Sequence, residues 1–125
     1  MIKDRELYKE FGRIYGVNTK KEGIEFIRKK IYLDDLWLKR GLIAIYSRQT
    51  EGEKTIRESV ESNGVGFSKY HAARMSEYAT ILLSGGCLTT LQMYAARMIM
   101  MGYSGQLYNI SIETLRRRYY ESNIL

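Results

Sequence analysis

The sequence predicts an all-α fold: a compact single-domain helical bundle with a central helical hairpin. Three observations predict it. Proline is absent from all 125 residues, apolar side chains recur at helical spacing in successive segments, and Ser, Thr or Asp start signals stand just ahead of those segments. A chain of this length buries roughly two-thirds of its unfolded surface in one core, so a single domain over 1–125 is expected. The apolar share of 45% and charged share of 27% are those of an ordinary folded chain.

The elements follow in order. Asp4 caps a first helix with Leu7, Phe11 and Ile14 on one face, and Gly16 stops it. Thr19 and Glu22 in "TKKE" have capping-box spacing, and Ile24, Ile27 and Ile31 then share a face. Asp34 or Asp35 opens a third helix through Leu36, Trp37, Leu42, Ile43 and Tyr46, ending near Gln49. Thr50 and Glu53 repeat the capping-box spacing and predict a fourth helix, although Gly52 and the polar run beyond it weigh against one.

Residues 59–66 read as a loop. Ser68 is the N-cap of a helix with Ala72, Met75, Ala79 and Leu82 inward, closed by Gly85-Gly86. Thr89 and Gln92 form another capping box, opening a helix with Leu91, Ala95 and Met98 inward. These two helices are expected to pack antiparallel as the hairpin. Ser111 is expected to cap a last helix carrying Leu115 and Tyr119.

A single cysteine, Cys87, and a single histidine, His71, exclude a disulfide framework or a Cys/His zinc site within one chain. The expected compartment is reducing, hence cytoplasmic. No apolar run approaches the ~20 residues of a spanning helix, and "MIKDRELYKE" lacks the apolar region of a signal peptide, so neither membrane insertion nor secretion is expected. The net charge of +6 fits an acidic partner, either nucleic acid or an acidic protein. A second copy of the chain is a further candidate partner.

Charge is unevenly spread. The first 62 residues carry 14 basic and 11 acidic side chains, whereas residues 79–110 contain one charge, Arg97. The hairpin is therefore either the buried centre of the fold or a surface that meets another protein.

"SNGVGFSKYH", residues 62–71, sets a glycine-rich turn before a helix. A phosphate loop needs several N–H groups converging on an anion at such a place. Asn63, Gly64 and Gly66 form the turn, with positive φ expected at Gly64 or Gly66. The Gly-Lys-Ser/Thr ending of a nucleotide loop is missing and no strand precedes it, so a structural turn is the leading reading. Lys69 in the following turn keeps anion binding open. His71 lacks an evident carboxylate or nucleophile partner, and a capping or interface role is expected for it. No nucleophile–base pair or metal set stands out, which predicts a protein that is not an enzyme and takes no cofactor.

The candidate binding residues are cations and tyrosines. Eleven tyrosines are present; Tyr70, Tyr78, Tyr94, Tyr103 and Tyr108 lie in the charge-poor half, where they suit a core, an interface or base stacking. Arg74 and Arg97 either pair with Glu77 or project toward an external anion. Arg28-Lys29-Lys30 and Arg116-Arg117-Arg118 are either solvated faces or phosphate contacts. Arg28-Lys29-Lys30 is expected to face Glu22 and Glu25 and be partly neutralised, so the cluster beside Tyr119-Tyr120 is expected to matter more.

The run "AIYSRQTEGEKT", then "NGVGFSKYHAARMSEYA", then "LTTLQMYAARMIMMGYSGQL" resembles a helical module of small phage and mobile-element proteins. The resemblance covers residues 44–107 and rests on the order of its pieces: Tyr46, Arg48, Gln49, Thr50 and Glu53; Asn63, Gly64, Gly66 and Phe67; Leu88, Thr89 and Gln92; Gln106 and Leu107. It implies a phage or mobile-element origin, a helical module and no established catalytic role; with the reducing compartment, the expected setting is the host-cell cytoplasm. The family pattern has basic residues where this chain has Met98, Ile99, Met100 and Met101, a departure that favours protein contact there. Two functions are expected in competition. One is a small non-enzymatic protein that binds nucleic acid or a host nucleoprotein; the other is an anti-CRISPR-like inhibitor that covers the surface of a host defence nuclease.

Overall fold

The structure is a computed structural model that describes residues 2–55 and 66–124. The chain folds into six helices: α1 (Asp4–Tyr15), α2 (Lys20–Leu33), α3 (Asp35–Thr55), α4 (Ala72–Leu83), α5 (Thr90–Met101) and α6 (Ser104–Ile124). Among the described residues there is no strand.

Local chemistry explains most of the ends. Lys3 occupies the N-cap of α1 without a side-chain bond, while Asp4 and Glu6 sit in the first turn, where carboxylates complement the positive end of the helix dipole. Asp4 is thus a first-turn charge rather than the expected cap. Gly16 closes α1 with φ +74. Thr19 Oγ1 accepts the Glu22 N–H at 3.1 Å, but the Glu22 carboxylate accepts from Asn18 N–H (2.7 Å) rather than from Thr19. Asp34 is the hinge between α2 and α3, its Oδ1 accepting the Leu36 N–H at 2.9 Å.

Three expected boundaries move, and at α6 burial outweighs the local start signal. Helix α3 runs on through Thr50 to Thr55 instead of ending near Gln49, and Leu38, Leu42, Ile45 and Gln49 form its buried stripe. Thr50 therefore lies inside a helix, and residues 56–65, where a fourth helix would extend and most of the expected loop falls, lie outside the described residues. Helix α6 begins at Ser104, not Ser111, because Leu107, Tyr108 and Ile112 all belong to the core. Ser111 sits within α6, its hydroxyl donating to the Leu107 carbonyl at 3.0 Å. Helix α4 begins at Ala72, after a turn in which the Ser68 carbonyl accepts the N–H groups of His71 and Ala72, both at 2.9 Å. The capping box expected at Thr89 and Gln92 forms in both directions.

Helix α3 runs through the middle and touches α2, α4, α5 and α6; α6 in turn packs along α1 and α2. The consecutive helices α4 and α5 lean on α3 as their shared support. Leu7 and Phe11, Ile27 and Ile31, Met75 and Ala79, and Met100 fill the core. Fully burying each large side chain contributes about 1.5–3 kcal/mol.

Of the expected inward face of α5 only Ala95 packs against the core. Ala96 and Met100 point inward, whereas Leu91 and Met98 are 80% and 50% exposed. Ile14 of α1, also expected inward, is exposed.

A chain of rings ties the first three helices to α6. Tyr108 meets Phe11 with centroids 4.9 Å apart, Phe11 meets Tyr15 at 4.7 Å, and Tyr15 meets Phe26 at 5.1 Å. Phe26 reaches Trp37 edge-on at 5.8 Å. Gly23 admits the Tyr108 ring, because a Cβ there would lie 2.4 Å from Tyr108 Cε1.

Candidate nucleic-acid interface

The glycine turn is tested by following its N–H groups. Gly66 N–H donates to Gln106 Oε1 at 3.1 Å, and Gln106 Nε2 returns a bond to the Gly66 carbonyl at 3.0 Å. Phe67 N–H donates to Gln49 Oε1 at 3.0 Å, and Ser68 N–H to the Tyr103 hydroxyl at 2.9 Å. Three consecutive donors are thus consumed by side chains of α3, of α6 and of the turn between α5 and α6. None of the three is left for an anion.

Gly66 has φ +92, and a Cβ there would lie 2.9 Å from Gln49 Cβ, so glycine is required twice over. Asn63 and Gly64 lie outside the described residues. The segment from Gly66 to Ser68 is a clamp that pins the entry of α4 onto α3 and α6. His71 belongs to it: its Nδ1 lies 3.0 Å from the Tyr103 hydroxyl and 3.3 Å from Ser68 Oγ. Phe67 is buried edge-on against Tyr103 at 5.2 Å.

The predicted cations divide into bound and free. Arg97 does neither of the things expected of it: its Nε donates to the Ile31 carbonyl at 3.0 Å and its Nη2 pairs with Asp35, stitching α5 to the α2–α3 corner. Arg116 pairs with Asp4 across α6 and α1. Arg117 and Arg118 are exposed and make no ion pair among the described residues. Their neighbours Tyr119 and Tyr120 are exposed, with rings edge-to-face at 6.0 Å. Lys69, Tyr70 and Arg74 are exposed at the start of α4, Tyr70 most of all at 91%, and Arg74 does not pair with Glu77.

On α2, Arg28 and Lys29 are exposed, and neither pairs with Glu22 or Glu25. The expected neutralisation is absent, partly because Glu22 is spent on Asn18 N–H. Lys30 instead lies over the Phe26 ring, 5.8 Å from its centroid.

The structure adds a site that sequence reasoning passed over. Arg5, Lys9 and Arg13 repeat every fourth residue along α1, on the face opposite the buried Leu7 and Phe11. With Tyr8, the turn at Val17–Asn18 and Lys20, they line a groove of about 510 Å³. Arg13 is partly spoken for. Its guanidinium donates to Glu10, with Nε to Oε2 at 3.1 Å; this bond holds the Glu10 carboxyl below its ordinary range and raises Arg13. Arg5, Lys9 and Lys20 make no ion pair among the described residues. The Arg116–Asp4 pair sets Arg116 at the N-terminal end of α1. The four-residue repeat was visible in the sequence, but mixed with Asp4, Glu6 and Glu10 it reads as a solvated face until the turn at 17–20 folds back beside it.

Among the described residues, no group of three His, Cys, Asp or Glu side chains is placed to hold a metal ion, and no helix is long and apolar enough to cross a membrane. No protein-family model, no curated protein and no solved structure matches this chain.

Proposed function

We propose that this chain is a small non-enzymatic binding protein of phage or mobile-element origin that holds a nucleic-acid strand, free or within a host nucleoprotein, in the host cytoplasm. The basic groove between α1 and the start of α2 is the observation that carries the reading. Arg5, Lys9 and Arg13 are spaced along α1 at about 6 Å per step, so successive phosphates of one strand can meet successive cations. Tyr8 in the same groove offers a ring for stacking, and Arg117 and Arg118 extend the positive surface past the start of α1. Nothing in the groove presents a row of amide side chains for reading base edges, so binding is to backbone and indifferent to sequence.

The test is fluorescence anisotropy with labelled single-stranded and duplex DNA and RNA at several salt concentrations. Affinity is expected to fall linearly on a log–log salt plot. Lys9→Ala and Arg117→Ala are each expected to flatten the slope by about one unit, for all sequences alike. Absence of salt-dependent binding to every one of these probes at micromolar protein would refute the reading and advance the inhibitor that works by covering a nuclease surface.

A further inference from the structure

Helix α5 turns two different apolar faces to its surroundings. Ala96 and Met100 enter the core, while Leu91, Tyr94 and Met98 stand 80%, 64% and 50% exposed. These three follow helical spacing, so they form one outward stripe about 10 Å long. Met101 carries the stripe into a hollow of about 480 Å³ against α2, where it meets Phe26 and Tyr32. Arg28 and Lys29 stand on the rim of that hollow beside a single anion, Glu25. The one charge of α5, Arg97, is engaged by Asp35 and the Ile31 carbonyl. An apolar strip bordered by unpaired cations is what an amphipathic helix with acidic flanks complements.

We infer that the groove between α2 and α5 docks an amphipathic helix of a protein partner. The partner's apolar stripe lies on Leu91, Tyr94, Met98 and Met101, and its flanking Asp or Glu side chains meet Arg28 and Lys29. A second copy of this chain is a poorer occupant, because at +6 each the two copies would bring their Arg28 and Lys29 rims together. A nucleic-acid backbone is poorer still, since the stripe carries no cation and its one polar group is the Tyr94 hydroxyl. The proposal does not depend on the strand-binding groove of α1, which lies on other residues.

Two labelled synthetic peptides of ~14 residues test it, about four turns each. Both carry leucines at helical spacing; one has Glu flanks and the other has Lys in their place. The Glu peptide is expected to bind at micromolar concentration and at least tenfold more tightly than the Lys peptide. Met98→Asp should weaken the Glu peptide about tenfold or more, and Arg28→Glu with Lys29→Glu should reverse the preference between the peptides. Met98 is half exposed, so a melting temperature within a few degrees of the parent separates lost docking from lost folding. The groove of α1 supplies the control: Lys9→Ala should leave the Glu peptide's affinity unchanged. Equal binding of the two peptides, binding of neither, or binding indifferent to Met98→Asp would overturn the inference. So would sedimentation showing a dimer that Met98→Asp dissolves, which would make a second copy the occupant.

Discussion

Replacing Gly66 with alanine probes the clamp that holds the entry of α4. Two costs can be read from the geometry. A φ of +92 is a conformation that an L side chain adopts at about 1–2 kcal/mol. The new Cβ would stand 2.9 Å from Gln49 Cβ and 3.3 Å from its Cα. Those atoms belong to α3 and cannot swing aside, so the turn itself must retreat. Retreat stretches the paired bonds to Gln106, now 3.1 and 3.0 Å, each contributing about 1 kcal/mol. The sum is about 2–4 kcal/mol, or roughly 8–16 °C in melting temperature for a domain of this size. Gly85→Ala is the internal control. Its φ is +88 but nothing lies within 4 Å of the added Cβ, so it carries the dihedral cost alone. Urea and thermal unfolding followed by circular dichroism should therefore rank Gly66→Ala below Gly85→Ala by about 1–2 kcal/mol. Equal losses, or no loss at Gly66, would mean that the turn does not bear on Gln49 and Gln106 as described.

Two further outcomes are expected. Met75, fully buried between α4 and the core, should not tolerate Met75→Asp: an uncompensated buried carboxylate costs an amount comparable to the whole ~5–15 kcal/mol of a domain's stability, so cooperative unfolding should disappear from the melting curve. Burial pushes the Tyr108 hydroxyl's pKa above its ordinary value of 10, with a smaller contribution from Tyr8. A raised folded-state pKa means that its contribution is fully present below pH ~10 and is lost as pH rises through the folded value, so the parent should lose stability above pH ~10 more steeply than Tyr108→Phe. Parallel melting curves for the two proteins between pH 9 and 11 would remove Tyr108 from the account.

Tertiary geometry decided which candidate cations are free. In the sequence Arg97 stands alone among apolar residues and looks available, yet it reaches Asp35 and the Ile31 carbonyl, more than 60 residues away. Arg116 likewise goes to Asp4. Arg28 and Lys29, by contrast, looked neutralised by their neighbours and are not. Side-chain pairing at helical spacing is worth only a few tenths of a kcal/mol, so a carboxylate with a better local use, such as Glu22 on Asn18 N–H, leaves its cation unpaired.

What the sequence determined by itself was settled within a few residues along the chain. The all-helical class, the Thr19 and Thr89 caps, the stop at Gly16 and the reversal at Gly85 all follow from local sterics and donors within one turn. Contacts between distant segments decided the rest. Thr50 and Glu53 carry a start signal, but the stripe ending at Gln49 stays buried and the helix runs through it. Helix α5 is apolar on nearly every side, so its own periodicity could not say that Ala96 and Met100 face inward while Leu91 and Met98 face out; only the placement of α2 and α3 against it does. The N–H groups of Gly66, Phe67 and Ser68 stood open to an anion or to the protein. Gln49, Tyr103 and Gln106, which lie 18 to 40 residues from the donors they engage, take them, because folding brings amide and hydroxyl groups to a place where buried N–H groups must be satisfied.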